Sequence, residues 1–309
     1  MNIHFSLKRT LVLTLLSVLP VCAIDASAAE PVKTVIITGQ NNHNWKVSHI
    51  ALQKTLENSG LFSVDLAVSP EPGGDFSHFN VDFDKYSLVV LDYNGDSWND
   101  SMNKAFLKYV KKGGGVVIYH AADNAFSRWK EFNKIIALGG WENRNEKSGP
   151  YVYWKDGSLV KDYSPGPGGS HGDQHEYIME CRCQSHPVLE GLPARWKHAK
   201  DELYDRMRGP GNIGTLLYTA YSPTEKRGSG RNEPLIFTVS YGKGRIFHIM
   251  LGHAGDTLED NPAMQCTGFQ VLLLRGAEWA AKGVVTQPVP ADFPTENNVS
   301  MRYEYKNMF

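Results

Sequence analysis

The chain has 309 residues, of which 41% are hydrophobic and 21% charged, and its 32 lysines and arginines against 33 aspartates and glutamates leave a formal charge of -1. This composition is typical of a globular protein and excludes a disordered chain, a collagen or a coiled coil. Because no basic cluster is present to neutralise a phosphate backbone, we do not expect nucleic acid as a partner.

The N-terminal residues have the pattern of a secretory signal peptide over 1–28. Lys8 and Arg9 precede an apolar run at 11–23, and Ala26-Ser27-Ala28 is a cleavage signature of small residues. This predicts a periplasmic or secreted protein. Lipid anchoring at Cys22 is not expected, because the preceding Val21 is bulkier than lipid-attachment sites accept. The apolar run is too short to span a bilayer and no later run is longer, so we expect no membrane span.

Strand and helix patterns alternate through the first half of the chain. Short apolar runs predict buried strands, and an apolar spacing of three and four residues predicts amphipathic helices. The predicted strands are 32–38, 62–68, 88–91 and 116–119, and the predicted helices are 45–58 and the segment around 102–110. This order predicts βαβ crossovers and therefore an α/β fold, a mostly parallel doubly wound sheet with helices on both faces.

The second half is less regular. The segment 139–172 is rich in glycine, proline and aromatic residues without periodicity, and we expect it to be a loop that covers the cleft as a lid. Further strands are predicted at 177–179, 215–219, 235–239 and 245–250, with a hairpin turn at 242–244, and a last helix ends at Gly283. The predicted domain therefore covers 29–284, and 285–309 is a C-terminal tail.

Polar residues follow the predicted strands at their carboxyl ends, which is where open α/β sheets bind ligands. We expect these residues to converge on one cleft. They are His43 and Trp45 after the first strand, Asp92 and Asn94 after the third, His120 and Asp123 after the fourth, and His253 after the late hairpin.

Two further clusters precede the late strands. The run at 170–176 contains His171 and His175 beside two carboxylates, and the run at 201–204 contains Glu202 and Tyr204. Imidazole with carboxylate suits a divalent metal, especially Zn, for which His171 and His175 are the candidate ligands. The same residue types can instead serve as general acid and base, and the spacing matches no compact metal signature.

Several common catalytic motifs are missing. The sequence has no GxGxxG after the first strand, no P-loop and no GxSxG. Position 120, at the turn after the fourth strand, holds a histidine rather than a nucleophilic cysteine or serine. A covalent acyl-enzyme at that turn is therefore not expected.

Six short motifs in the same order resemble the ThuA-like proteins, named for trehalose utilisation. These motifs lie at 38–43, 114–122, 186–193, 201–204, 241–245 and 251–253, within residues 32–284. The resemblance implies a class I glutamine amidotransferase-like (flavodoxin-like) fold. It also implies a role in trehalose, disaccharide or glycoside catabolism, with sugars oxidised to ketones as substrates. His120 stands where that fold carries its cysteine nucleophile, so we do not expect an amidotransferase.

These observations predict an enzyme whose ligand is a small carbohydrate. The preferred reaction is proton transfer next to a sugar carbonyl, as in isomerisation or elimination, with His120 and His253 as acid and base and Glu202 as their carboxylate partner. The predicted substrate-binding residues are His43, Trp45, Asp92, Asn94, Asp123 and Tyr204. The alternatives are metal-assisted glycoside hydrolysis, with Asp92 and Glu202 flanking the bond, and a non-catalytic sugar-binding module.

Overall fold

The computed structural model describes Met1 and residues 30–255 and 261–303. Apart from Met1, the predicted signal peptide, including Cys22, lies outside the described residues, and so do residues 304–309 of the predicted tail. In the described part of the chain, no helix combines the length and hydropathy needed to cross a membrane.

The first half of the chain forms the predicted parallel sheet. Its strands are β1 (Val32–Thr38), β2 (Phe62–Val68), β3 (Leu88–Leu91) and β4 (Gly115–Tyr119), and its helices are α1 (Trp45–Glu57) and α2 (Asp100–Lys112). The sheet order is β2-β1-β3-β4, with every pair parallel. All residues of β3 and β4 are buried, as expected for strands covered on both faces. The side chain of Asn99 caps α2 by accepting from the Met102 N–H.

The second half extends this sheet with antiparallel strands. They are β8 (His175–Cys181), β9 (Arg195–Asp201), β11 (Thr215–Ser222), β12 (Arg231–Tyr241) and β13 (Gly244–Ile249). Strand β13 pairs parallel with β4, and the order then continues as β12-β11-β8-β9 with antiparallel pairing throughout. The sheet is thus parallel on one side and antiparallel on the other, and β9 runs in the same direction as β1, β4 and β13.

Helices cover both faces of this sheet, as predicted. The remaining helices are α3 (Lys130–Ile136), α4 (Pro262–Gln265) and α5 (Thr267–Lys282). Gly276 of α5 lies so close to the Phe247 ring that an added Cβ would approach it to 2.2 Å. His248, which follows Phe247 in β13, forms a hydrogen bond through Nδ1 with the Ile136 carbonyl oxygen of α3 at 2.9 Å. Because neighbouring strand residues point to opposite faces, α5 and α3 lie on opposite sides of the sheet.

The segment 139–172 is more regular than its sequence suggested. It contains a hairpin of β5 (Tyr151–Lys155) and β6 (Ser158–Asp162), and β7 (Ser170–His171) pairs with β10 (Tyr204–Asp205). The turn is Asp156-Gly157 with both φ angles positive, a strong hairpin signal that the glycine-rich surroundings obscured.

Two buried arginines anchor the segment 139–172. The Arg208 guanidinium lies 3.4 Å from the Tyr151 ring centroid and donates to the carbonyl oxygens of Gly149 and Ser164. Arg144, 2% exposed, donates to three backbone carbonyl oxygens. Buried side-chain contacts therefore hold the segment 139–172 against the rest of the domain in this structure.

The described part of the tail, 285–303, packs against the domain. Its Phe293 ring lies 5.5 Å from that of Trp196 in β9, and the Thr295 carbonyl oxygen accepts from the Lys197 N–H. Near its end, the Ser300 carbonyl oxygen accepts from the N–H of Thr267 at the start of α5. The tail thus covers the outer edge of the antiparallel half.

Candidate functional site

Four strands that run in the same direction each deliver one polar side chain to the same edge of the sheet. His43 follows β1, His120 follows β4, Glu202 follows β9 and His253 follows β13. The convergence expected from the strand ends is present for these residues. We call them the Glu202 cluster.

The Glu202 carboxylate lies at the centre of three imidazoles. Its Oε2 is 3.4 Å from His43 Nε2 and 3.7 Å from His120 Nε2, and its Oε1 is 3.3 Å from His253 Nδ1. One potential ligand atom from each of the four residues lies within 4.8 Å of all the others. The His43 ring is 4.7 Å from the rings of both His120 and His253, centroid to centroid.

His120 is held in one orientation. It is 1% exposed and has a positive φ of 44° directly after β4, which turns its side chain toward the cluster. Its Nδ1 lies 2.7 Å from the Met250 carbonyl oxygen and therefore donates to it. Nε2 then carries the lone pair, which accepts from the Tyr204 hydroxyl at 3.2 Å. The Tyr204 ring stacks on His120 at 4.4 Å.

Burial and mutual contacts shift the pKa values in the cluster. Burial alone would raise the pKa of Glu202, but the neighbouring imidazoles of His120, His253 and His43 outweigh it and lower this pKa far below its usual range. Burial lowers the pKa of His43 to about 4, so this imidazole is neutral at pH 7. Burial also lowers the pKa of His120, but the carboxylates of Glu202 and Asp201 outweigh burial and raise this pKa above its usual value.

A buried carboxylate beneath the cluster fixes its backbone. Asp201 accepts at 2.8 Å from each of three donors, namely His198 Nε2 and the N–H groups of Glu202 and Gly252, and at 3.1 Å from the His253 N–H. Burial would raise the pKa of Asp201, but the bond from His198 and the other contacts lower it. Asp201 therefore ties the segments that carry Glu202 and His253 together.

Only part of this supporting arrangement could be inferred from the sequence. Asp201 lies beside Glu202 in the motif at 201–204, but an acid pair there reads equally as a solvated feature. His198 was missed entirely, since it lies in a strand whose charged residues show no clear alternation. Burial lowers the pKa of His198, but Cys266 and Asp201 face the ring and raise the pKa to about 9.

One side of the cluster is lined by the β7/β10 pair. His171, the register partner of Tyr204, places Nε2 at 3.6 Å from Glu202 Oε1, and its side chain is 38% exposed. Its Nδ1 faces the Gly172 carbonyl oxygen at 2.9 Å, which leaves the lone pair on Nε2. The Trp141 ring lies 4.8 Å from that of Tyr204 and 6.1 Å from that of His171. The most exposed imidazole next to Glu202 therefore belongs to His171.

Asp92 and Asn94, predicted to bind substrate, make hydrogen bonds in this structure that support the loop carrying His43. Asp92 is fully buried and accepts from the Thr38 and Ser48 hydroxyls at 3.1 and 2.7 Å and from the side chain of Asn41 at 3.1 Å. Burial raises the pKa of Asp92 to about 7. Asn94 bonds to both the backbone and the side chain of Asn42.

Asp123 and Trp45 also lie outside the cluster. Asp123 belongs to a 3₁₀ turn at His120–Asn124 that directs its carboxylate to His248 Nε2 at 3.3 Å, on the α3 face of the sheet. Trp45 opens α1, where its ring lies 5.6 Å from that of His49. A position at a strand end thus did not decide where these side chains point.

The structure does not join His171 and His175 as a metal pair. His175 is the register partner of Asp201, but its Nδ1 faces the Asp173 carbonyl oxygen at 2.7 Å. Among the described residues, the group that can hold a metal is the Glu202 cluster, to which neither histidine belongs. The metal hypothesis rested on two histidines beside carboxylates in one short run, but His171 and His175 lie in different sheets.

A cavity of about 470 Å³ opens among the loops that follow β3 and β4. Trp98, Phe126 and Trp129 supply aromatic surface, while Arg128 and Glu142 supply charge. Glu142 directly follows Trp141, so one loop borders both this cavity and the β7/β10 side of the cluster. The lining of this cavity therefore combines aromatic and charged side chains.

Comparisons with known proteins agree with the motifs. The profile of the ThuA family, described as trehalose utilisation, matches residues 33–280. The chain is 71% identical to a ThuA-like protein of Parabacteroides merdae, with a TM-score of 0.88 over 88% of this chain and 98% of that chain. A ThuA-like protein of Bacteroides uniformis is 20% identical, with a TM-score of 0.52 over 84% of this chain and 96% of that chain, and shows the fold alone. No curated protein matches.

Proposed function

Since the chain belongs to the ThuA family, whose members are grouped under trehalose utilisation, we propose that it is an enzyme that moves a proton next to the carbonyl of an oxidised sugar. The observation that carries this proposal is the convergence of three imidazoles on the buried carboxylate of Glu202. Acid–base residues held at strand ends are suited to repeated proton transfer on a bound substrate.

The reaction needs two kinds of group. When the C–H bond next to a carbonyl breaks, a base takes the proton and the electron pair moves toward the carbonyl oxygen, so that oxygen needs a cationic or hydrogen-bonding neighbour. We assign the oxygen side to the cluster, with His120, His253 and Glu202 as catalytic residues. Return of the proton to the neighbouring carbon gives isomerisation, and loss of a leaving group gives elimination.

The base on the open side is His171 in this proposal. Its Nε2 carries the lone pair because Nδ1 donates to the Gly172 carbonyl oxygen, and Nε2 lies 3.6 Å from Glu202 Oε1. A substrate carbonyl placed at the cluster would bring an adjacent C–H group toward this imidazole. The rings of Trp141 and Tyr204 beside it offer apolar surface for a sugar face.

Glycoside hydrolysis fits the site less well. It requires two carboxylates that flank the bond. The carboxylate of Asp92 is enclosed by Thr38, Ser48 and Asn41, which leaves Glu202 alone at the cluster. A ketone substrate needs no second carboxylate, because the carbonyl itself makes the neighbouring proton acidic.

The test compares a glycoside with its 3-keto derivative, for example trehalose and 3-ketotrehalose, by NMR in D₂O. Turnover of the ketone alone, with deuterium entering next to the carbonyl, is expected. Release of reducing sugar from the plain glycoside would favour hydrolysis, and binding without turnover would favour a sugar-binding module. His120→Ala should abolish the exchange, while His78→Ala, at an exposed histidine outside the cluster, should leave it unchanged.

We propose further that the signal peptide predicted at 1–28 directs the enzyme to the periplasm or the medium, so that its substrate is met outside the cytoplasm. Lys8, Arg9 and the apolar run at 11–23 support this. Cell fractionation with N-terminal sequencing tests it. A mature protein that begins near residue 29 is expected, and an intact N-terminus in the cytoplasm would contradict it.

A further inference from the structure

We infer that the Glu202 cluster is a binding site for a divalent transition-metal cation, with His43, His120, His253 and Glu202 as its ligands. The inference deepens the proposed function and rests on it for the role of the ion, which is to polarise the sugar carbonyl. Binding itself follows from the arrangement of the ligands alone.

The spacing of the ligand atoms is that of a coordination shell. Bonds of about 2.0–2.2 Å to a tetrahedral ion separate neighbouring ligand atoms by about 3.3–3.6 Å. The nearest Glu202 oxygen lies 3.4 Å from His43 Nε2, 3.7 Å from His120 Nε2 and 3.3 Å from His253 Nδ1. These three separations are close to that spacing, and one potential ligand atom from each of the four residues lies within 4.8 Å of all the others.

Hydrogen bonding does not account for this convergence. His253 Nδ1 is buried, has no hydrogen-bond partner in the described structure, and yet points at a carboxylate oxygen 3.3 Å away. His43 reaches Glu202 only at 3.4 Å, a long contact for a charge-assisted hydrogen bond. A cation between these atoms would satisfy both nitrogens and the carboxylate together.

Hydrogen bonds with neighbouring groups hold the four proposed ligands in place. The Met250 carbonyl oxygen accepts from His120 Nδ1, which is the usual arrangement behind a metal-bound imidazole, and leaves the lone pair on Nε2, where the Tyr204 hydroxyl donates to it in this structure. Asp201 accepts from the backbone N–H groups of both Glu202 and His253. Asn41 accepts from the His43 N–H at 2.9 Å. Each of the four ligands is thus held before an ion arrives.

The ligand types select the ion. Three imidazole nitrogens and one carboxylate oxygen suit Zn²⁺ or a neighbouring first-row divalent ion, whereas Mg²⁺ and Ca²⁺ prefer oxygen ligands. The exposed fraction of the side chain is 22% for His253 but 1% for His120, so access to the ion is from the His253 side. That side leaves room for a substrate oxygen as a further ligand.

Metal content and binding test the inference without any activity assay. Protein purified without a histidine tag or chelator should contain about one Zn²⁺ or similar ion per chain by plasma mass spectrometry. After removal of the ion with EDTA, titrated Zn²⁺ should bind with one-to-one stoichiometry. Glu202→Gln and His253→Ala should each weaken binding by more than the 10–100-fold typical of losing a partner behind a ligand. The matched control His78→Ala should bind as the unchanged chain does.

Unchanged Zn²⁺ binding in both cluster variants, or no stoichiometric binding by the unchanged chain, would overturn the inference. Should a variant fail to fold, Co²⁺ added to the unchanged protein gives an independent result: visible d–d bands that Zn²⁺ abolishes are expected, and their absence would contradict the site. Metal binding without ketone turnover would refute the proposed function alone. Turnover by metal-free protein in EDTA would refute the role of the ion in the reaction and leave the proposed function standing.

Discussion

Asp201 and Asp92 are both fully buried, but the same substitution should destabilise the protein strongly at Asp201 and little at Asp92. Asp201 accepts four hydrogen bonds, all from N–H groups, and three of these belong to the backbone. The partners of Asp92 are two hydroxyls and one side-chain amide. Replacing each aspartate by asparagine changes the charge and one acceptor atom while the volume stays nearly constant.

For Asp201→Asn we expect a large loss of stability. The Oδ2 atom accepts from His198 and from the Gly252 N–H, and an amino group at this position would face the fixed Gly252 donor with another donor. Two hydrogen bonds to a charged acceptor are lost, at about 1.5–3 kcal/mol each, so the free energy of unfolding should fall by about 3–6 kcal/mol.

For Asp92→Asn we expect a change within about 1 kcal/mol at pH 6. Burial raises the pKa of Asp92 to about 7, so this carboxyl is largely protonated at that pH and already resembles an amide. The hydroxyls of Thr38 and Ser48 can rotate to donate or accept, which backbone N–H groups cannot do.

Urea unfolding at pH 6, followed by tryptophan fluorescence, measures both variants against the unchanged chain. With a urea slope of about 3 kcal/mol/M, the Asp201→Asn midpoint should fall by about 1–2 M. Equal losses in the two variants, or a larger loss for Asp92→Asn, would refute the reasoning from donor type.

Three other outcomes are expected. Burial raises the pKa of Glu233 from 4.5 to about 7, so the folded state keeps a proton that the unfolded state has lost, and stability falls as pH rises through that window. Glu233→Gln removes this effect and should raise the free energy of unfolding at pH 8 by up to about 3 kcal/mol, but not at pH 4; a gain of the same size at both pH values would count against it. His171→Ala should slow ketone turnover about 10²–10⁴-fold while His175→Ala leaves it nearly unchanged, and equal losses would remove His171 as the base. Arg208→Met removes the donor to the carbonyl oxygens of Gly149 and Ser164 and should speed tryptic cleavage at the exposed Lys161. Unchanged cleavage would show that Arg208 does not anchor the segment 139–172.

The strands of the parallel half could be predicted from the sequence because their residues are mostly apolar. Strands buried on both faces are continuous apolar runs, and the predicted bounds of 32–38, 62–68 and 88–91 agree with the structure. Strand β9, by contrast, has the sequence Arg-Trp-Lys-His-Ala-Lys-Asp, with no clear alternation, because the tail covers part of it. Its direction, which brings Glu202 to the other strand ends, depends on pairings that no local pattern encodes.

The candidate site was likewise predictable from the sequence only in part. Strand-end position was enough to bring His43, His120 and His253 together, because parallel strands end at one edge. It was not enough for Asp92 or Asp123, whose side chains turn inward to hydroxyl and imidazole partners. Orientation after a strand depends on the next few backbone angles, which composition and periodicity do not report.

The left-handed backbone of His120 has a consequence for protein engineering. A residue with a side chain at φ 44° stores strain of about 1–2 kcal/mol that glycine would not carry. His120→Gly relieves this strain and His120→Ala keeps it, so glycine should be the less destabilising of the two replacements. Both replacements leave the Met250 carbonyl oxygen and the Tyr204 hydroxyl without this partner, so an engineered variant that must lose the imidazole is best built with glycine.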